Sequence, residues 1–226
     1  MAEDPSGDDP ALTYGRYLAL DEVLGAQRPR SDEHDELLFI VVHQVYELWF
    51  KQLLHELAHL RARLVDGDTP HAARTLRRIL TILKVAVAQI DVIETMSPRQ
   101  FTSFRDRLDA SSGFQSWQFR EIEAVLGRDL WPSFLAYLGH HGYDTDRPAE
   151  GLLVDVYADD GGPAQLAELL VDLDEGLQEW RYRHVKMVER TIGDKAGTGG
   201  SSGADYLRST LFRPVFPALW SVRSQL

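Results

Sequence analysis

The sequence predicts an all-α protein. Apolar residues recur at spacings of three and four through several long runs, caps and stops punctuate those runs, and no run sustains period-two alternation. Residues 1–10, MAEDPSGDDP, are charged and carry Pro and Gly, which predicts a frayed, disordered end. Ser31, Asp32 and Asp35 place caps ahead of a long helix reaching about Val65, closed by Asp66-Gly67-Asp68. After Pro70 a second helix, over about 71–95, carries Leu76, Ile79, Leu80, Leu83, Val87, Ile90 and Ile93 on one stripe. Ser97-Pro98 is a cap followed by proline at the first helical position, which starts a short helix to about Leu108. The loop Asp109–Gly113 leads into a helix from about Phe114 to Leu126, with Gly127 as its stop, and Trp131–Leu138 reads as another short helix. Residues 142–163 are weakly patterned and read as a connection with one helical turn. Pro163 opens a long helix to about Ile192, capped by Gly193, and two short helices follow the glycine loop at 197–203. With no long Pro/Ser linker and no internal repeat, residues 11–226 read as a single domain.

Composition narrows the function. The chain has 226 residues, 44% of them hydrophobic, so a sizeable core is within reach. A net charge of −11 argues against nucleic acid and against an anionic membrane surface, since both are bound by neutralising phosphate charge. There is no cysteine, which removes disulfides, thiolate zinc sites and cysteine nucleophiles together. The acidic N-terminus lacks the basic-then-apolar order of a signal, and no apolar stretch of about 18 residues is free of charge, so a cytoplasmic protein is expected.

Two histidines stand out. His43 interrupts the run LLFIVVHQVYELWF, where Phe39, His43, Tyr46 and Phe50 share one helical face. His184 sits alone in LQEWRYRHVKMVERTIG. Each could be a core histidine bonded to a backbone carbonyl. Equally, two imidazoles on separate helices could face opposite sides of one cofactor or substrate, because an unpaired buried polar group costs about 1–3 kcal/mol. Arg105 lies four residues after Phe101, a pairing that suits an aromatic amino acid, although a surface arginine reads the same way. HELAH (55–59) matches the zinc-peptidase pattern His-Glu-x-x-His but lacks a third ligand downstream. KAGTGGSSG has its lysine ahead of the glycines and no leading strand, so it fits neither phosphate-binding fingerprint; it is a flexible link, or backbone that approaches a ligand closely with Thr198 supplying a hydroxyl.

Five segments, TYGRYL (13–18), HDELLFIVVHQVYELWFKQLLHEL (34–57), SPRQFTSFRDRLDASSGFQSWQFR (97–120), WRYRHVKMVER (180–190) and GTGGSSG (197–203), together resemble the tryptophan 2,3-dioxygenase family. The resemblance covers most of 12–128 and 172–226 in the family's order. It implies an all-helical domain that binds haem b, assembled as a homotetramer, and a dioxygenase opening the indole C2–C3 bond of L-tryptophan with O₂ to give N-formylkynurenine. By position it implies His184 as the axial ligand of the haem iron and His43 as the distal histidine near the indole N–H. It implies Phe39, Ile40, Val41 and Val42 along the substrate, Phe101 packing on it, Arg105 binding its carboxylate and Thr198 contacting its ammonium and carboxylate. Tyr14, Tyr17 and Leu18 match a segment that in the family reaches a neighbouring subunit's site. One departure is plain: between Gly127 and Leu166 the chain is shorter than usual members, which leaves lid, tetramer packing and substrate range open. The alternatives are a family monooxygenase or dioxygenase acting on a substituted tryptophan, a non-catalytic haem or oxygen sensor needing neither Arg105 nor Thr198, and a zinc peptidase at HELAH.

Overall fold

The computed structural model describes residues 11–195, 197 and 204–226; the expected frayed end at 1–10 lies outside them. Two short helices, α1 (Tyr14–Tyr17) and α2 (Leu20–Leu24), precede the long α3 (His34–Val65) and α4 (Thr69–Ile93). Then come α5 (Pro98–Arg105), α6 (Trp117–Ala124), α7 (Trp131–His140), α8 (Ala149–Ala158), the long α9 (Gly162–Ile192), α10 (Ala204–Arg208) and α11 (Pro217–Ser221). Among the described residues there is no strand, as the patterning predicted.

The frame is the mutual packing of α3, α4 and α9. Each carries a buried seam at alternating spacings of four and three, the pattern that keeps one helix face turned to its neighbours. On α3 the seam runs Leu53, Leu57, Leu60, Leu64; on α4 it runs Ala72, Leu76, Ile79, Leu83, Ala86, Ile90, Ile93; on α9 it runs Leu166, Leu170, Leu173, Leu177, Trp180. Continued toward the N-terminus of α3, the same spacing reaches Phe50, Tyr46, His43 and Phe39. Continued past Trp180 on α9, it reaches His184. Both histidines therefore occupy core positions of their helices. α3 is long and apolar enough by composition to span a bilayer, but here it is a bundle helix with two buried carboxylates, Glu36 and Glu56.

Helix ends follow local chemistry, with three departures from expectation. Ser97 forms the capping box it promised, accepting from the Gln100 backbone N–H while the Gln100 side chain accepts from the Ser97 N–H. Asp68 caps α4, and Gly67 adopts φ +71 in the tight turn after α3. At the start of α3, however, Ser31, Asp32 and Asp35 do not cap. The helix residue Glu36 instead reaches back, accepting from the backbone N–H groups of Arg30 and Ser31 at 2.7 and 2.8 Å and from Ser31 Oγ at 2.5 Å. Nor does Gly127 stop a helix. α6 continues through a π-helical turn, Val125–Leu130, into α7; buried Leu126 and Leu130 keep the axis in the core, and the wider turn precedes Pro132, which has no N–H to give the carbonyl one turn earlier. Finally, the 142–163 connection holds the ten-residue α8, not a single turn, because Leu152, Leu153 and Val156 bury against α9 and α11.

The C-terminal segment is tied down by one buried acid. Asp174 on α9 accepts from the Phe216 backbone N–H and the Trp220 indole N–H, both at 3.0 Å. Glu36 provides the testable case of such a clamp. Burial alone would raise its carboxyl, but the hydrogen bonds from Ser31 and from the Arg30 and Ser31 backbone, with the Arg30 charge, outweigh burial and hold it below the ordinary 4.5. A depressed folded value stabilises above pH 4.5, and that stabilisation is lost as pH falls through the folded value. Glu36→Gln is expected to cost about 1–3 kcal/mol in urea unfolding at pH 7, since one amide oxygen cannot satisfy the donors that two carboxylate oxygens do. The difference should shrink below pH 4.5; equal stability at pH 7 would contradict the clamp.

Candidate haem and substrate site

Where the seams of α3 and α9 turn from leucine to aromatic residues and histidine, beside Ile90 and Ile93 of α4, the bundle opens into a cavity with about 1410 Å³ of free space, its mouth included. α3 contributes Phe39, Val42, His43, Tyr46, Glu47 and Phe50, α4 contributes Ile90 and Ile93, and α9 contributes Trp180, His184, Met187, Val188, Thr191 and Ile192. α5 closes one side with Phe101 and Arg105, and the 112–119 segment closes another with Ser112, Phe114, Ser116 and Phe119. Gly197 and Leu207 also line it, so the chain borders the cavity on both flanks of the 198–203 loop. Thr198 itself lies outside the described residues.

His43 has a fixed tautomer. Its Nδ1 lies 2.7 Å from the Phe39 carbonyl oxygen, which can only accept, so Nδ1 carries the proton and Nε2 offers a lone pair. Burial pushes this imidazole below its ordinary value, against the Phe39 hydrogen bond and the Glu47 charge, which pull upward. The ring opens onto the cavity lumen, so its surface is accessible even though protein surrounds it. Phe39 packs on it with ring centroids 4.1 Å apart, and Phe101 and Phe104 each sit 5.7 Å from Phe39.

His184 faces the same cavity from α9. Burial first, and the nearby His43 second, push it down to about 4, so it is a neutral imidazole at physiological pH. Its ring stacks on Trp180, centroids 5.5 Å apart and planes at 27°. The surrounding helices are braced: Arg183 bonds Asp91 at 2.5 Å and Glu94 at 3.5 Å, and Gln118 donates to the Glu47 carbonyl and carboxylate, each at 2.8 Å.

This donor set suits haem. Among the described residues no group of three or more His, Cys, Asp or Glu could hold a bare ion. Haem brings its own equatorial nitrogens and needs from the protein one axial donor and apolar walls, which neutral His184 and the aromatic lining could supply. HELAH is otherwise engaged: Glu56 is buried and accepts from Arg78 at 3.0 Å and Gln52 at 2.7 Å, while His55 and His59 are exposed.

The residues expected at the site divide. Phe39, Val42, His43, Phe101, Arg105 and His184 meet around one cavity. Ile40 and Val41 do not line it, because they fall between the seam positions and turn to other sides of α3. Tyr14, Tyr17 and Leu18 do not border this chain's cavity; Tyr14 and Tyr17 are 76% and 72% exposed. Glu47, Trp180 and Phe119 were not singled out from the sequence as site residues. Helical spacing was the available signal, since Glu47 and Trp180 each stand four residues from a cavity histidine.

The tryptophan 2,3-dioxygenase family model matches residues 3–131 and 139–226. The chain belongs to that family. It is 58% identical to a tryptophan 2,3-dioxygenase of Anaeromyxobacter sp. (strain K), with 99% of each chain aligned. It is 52% identical to the enzyme of that name from Herpetosiphon aurantiacus over 96% of this chain, and 44% to that from Nocardioides sp. over 95%. The alignment with the Anaeromyxobacter relative spans 263 positions against 226 residues here, and the family match breaks at 132–138. That break lies on α7, inside the window where the sequence reads as shortened; no cavity-lining residue falls between Phe119 and Trp180.

The His43 tautomer is open to direct measurement. Two-bond ¹⁵N–¹H correlation spectra of the haem-free chain at pH 7 are expected to show a neutral His43 protonated on Nδ1. A proton on Nε2 would contradict the assignment.

Proposed function

We propose that this protein is a haem b-dependent dioxygenase that opens the indole ring of L-tryptophan to N-formylkynurenine. The observation that carries the reading is one cavity lined by two neutral imidazoles on different helices, with Phe39 packed on His43 and Arg105 in the same lining. His184 would hold the haem iron, as the neutral imidazole donor in the cavity wall. When bound, the haem activates dioxygen so that both oxygen atoms enter the substrate as C2–C3 breaks, and the electrons balance without an outside reductant.

The protein's part is positioning. The unprotonated Nε2 of His43 accepts the indole N–H and fixes the ring's orientation. Phe39 and Phe101 form the apolar slot that flanks the ring and excludes water. Arg105 pairs with the substrate carboxylate, a charge-assisted contact whose worth rises as water is expelled. Thr198 completes the grip on the ammonium and carboxylate, as family membership implies. Because the shortened α7–α8 region does not border the cavity, unmodified L-tryptophan is the substrate this pocket supports best. The same membership supports a cytoplasmic homotetramer in which the exposed Tyr14, Tyr17 and Leu18 cover a neighbouring copy's cavity.

Two measurements test the reading. With ¹⁸O₂, the reduced, haem-loaded protein should yield a product carrying both labelled atoms; a single labelled atom would indicate a monooxygenase and no turnover a sensor. Arg105→Ala should raise KM for L-tryptophan at least about tenfold, because truncating one partner of a buried charged contact costs about 2–5 kcal/mol and about 1.4 kcal/mol is a factor of ten. An unchanged KM would remove Arg105 from the site.

A further inference from the structure

A helix fixes where His184 sits but not which way its ring lies. The outer torsion of a histidine side chain is broad and roughly two-fold, so the plane of the imidazole is set by whatever packs on it. Here that neighbour is Trp180, one helical turn earlier on α9, stacked at 5.5 Å with its plane 27° from the imidazole. The indole is itself immobilised. It is 9% exposed, Phe119 packs on it at 5.3 Å and 46°, and Phe50 meets it edge-on at 6.3 Å and 87°. Tyr46 braces the same level: its hydroxyl donates to the Ala86 carbonyl at 2.5 Å, tying α3 to α4, and its ring packs against the cluster of Ala86, Ile90 and Trp180.

We propose that Trp180, held by the packing of Phe50, Phe119 and Tyr46, is the positioning residue for His184, setting the plane in which the imidazole would present its donor nitrogen to iron. The inference rests on the reading of His184 as axial ligand. Groups that orient a ligating histidine control metal affinity by about 10–100-fold when they are hydrogen-bonding partners. In this protein a stacked ring does the orienting. Its outcome is a single, narrow iron–imidazole geometry and hence a defined iron reduction potential.

The test uses the full haem-loaded chain and reads the iron–imidazole stretching band of the ferrous protein by resonance Raman, with haem retention and midpoint potential alongside. Trp180→Leu is expected to shift or broaden the band, move the potential and weaken haem retention by about tenfold. Trp180→Phe, which keeps a ring at the position, should recover part of each effect. Should Trp180→Leu fail to fold, Tyr46→Phe decides, since it removes only the hydroxyl; a smaller change in the same direction is expected. A band unchanged in Trp180→Leu, or unchanged in Tyr46→Phe if the leucine variant does not fold, overturns the proposal while leaving ligation intact. His184→Ala separates the two claims: loss of the band supports the axial reading, and its survival takes down that reading and this inference together.

Discussion

The structure depends on the register of three seams. α3, α4 and α9 each present core positions at alternating spacings of four and three, and the packing that buries Leu57, Leu76 and Leu170 also fixes what stands further along each seam. Moving α9 by one residue against α4 would rotate His184 by about 100° out of the line, because successive helical residues are separated by that angle. Leucines occupy the seam through one half of the bundle and close it. On α3 and α9 aromatic residues and two histidines occupy the other half, facing Ile90 and Ile93 of α4, and leave it open. The site is thus the bundle's own core with its filling changed.

Two kinds of interaction hold that register. Burial of the leucine half supplies the bulk, since a fully buried aliphatic side chain contributes about 1.5–3 kcal/mol. Polar contacts select the alignment: Arg183 and Arg190 from α9 both reach Glu94, the C-cap of α4, Glu56 from α3 takes Arg78 from α4, and Asp174 holds the C-terminal segment onto α9. The arginine pairs on the surface are worth little individually in water. Their value lies in direction, because a shifted helix would separate all of them together. The cost of the open half falls on His43 and His184, each kept neutral by burial, and that neutrality is what the proposed roles require, one imidazole to ligate iron and the other to accept a hydrogen bond.

Much of this was legible in the residues. The spacing of apolar positions set the fold class and the long helices, and the shared face of Phe39, His43, Tyr46 and Phe50 was readable because a helix repeats. The pairing of Phe101 with Arg105 was readable for the same reason, although spacing alone left it between surface and site. What escaped depends on partners distant in sequence. Gly127 looked like a stop because local propensity opposes a helix there, whereas Leu126 and Leu130 continue it by burial elsewhere in the bundle. α8 lacks a clean stripe, so only its packing against α9 and α11 reveals it. Ser31 reads as a cap until Glu36, five residues on, claims it. Trp180 looked like one more apolar residue of α9, since nothing in the chain says that its face lies against an imidazole.

In the proposed function His184 alone would hold the iron, with His43 across the cavity from it. Haem titration into the purified chain, followed by the Soret region of the reduced protein with and without carbon monoxide, tests it most directly. The wild type is expected to bind one haem per chain as a five-coordinate ferrous species that takes up carbon monoxide, while His184→Ala loses that binding and His43→Ala keeps it. Undiminished haem binding in His184→Ala, or a six-coordinate spectrum that disappears in His43→Ala, would contradict the account.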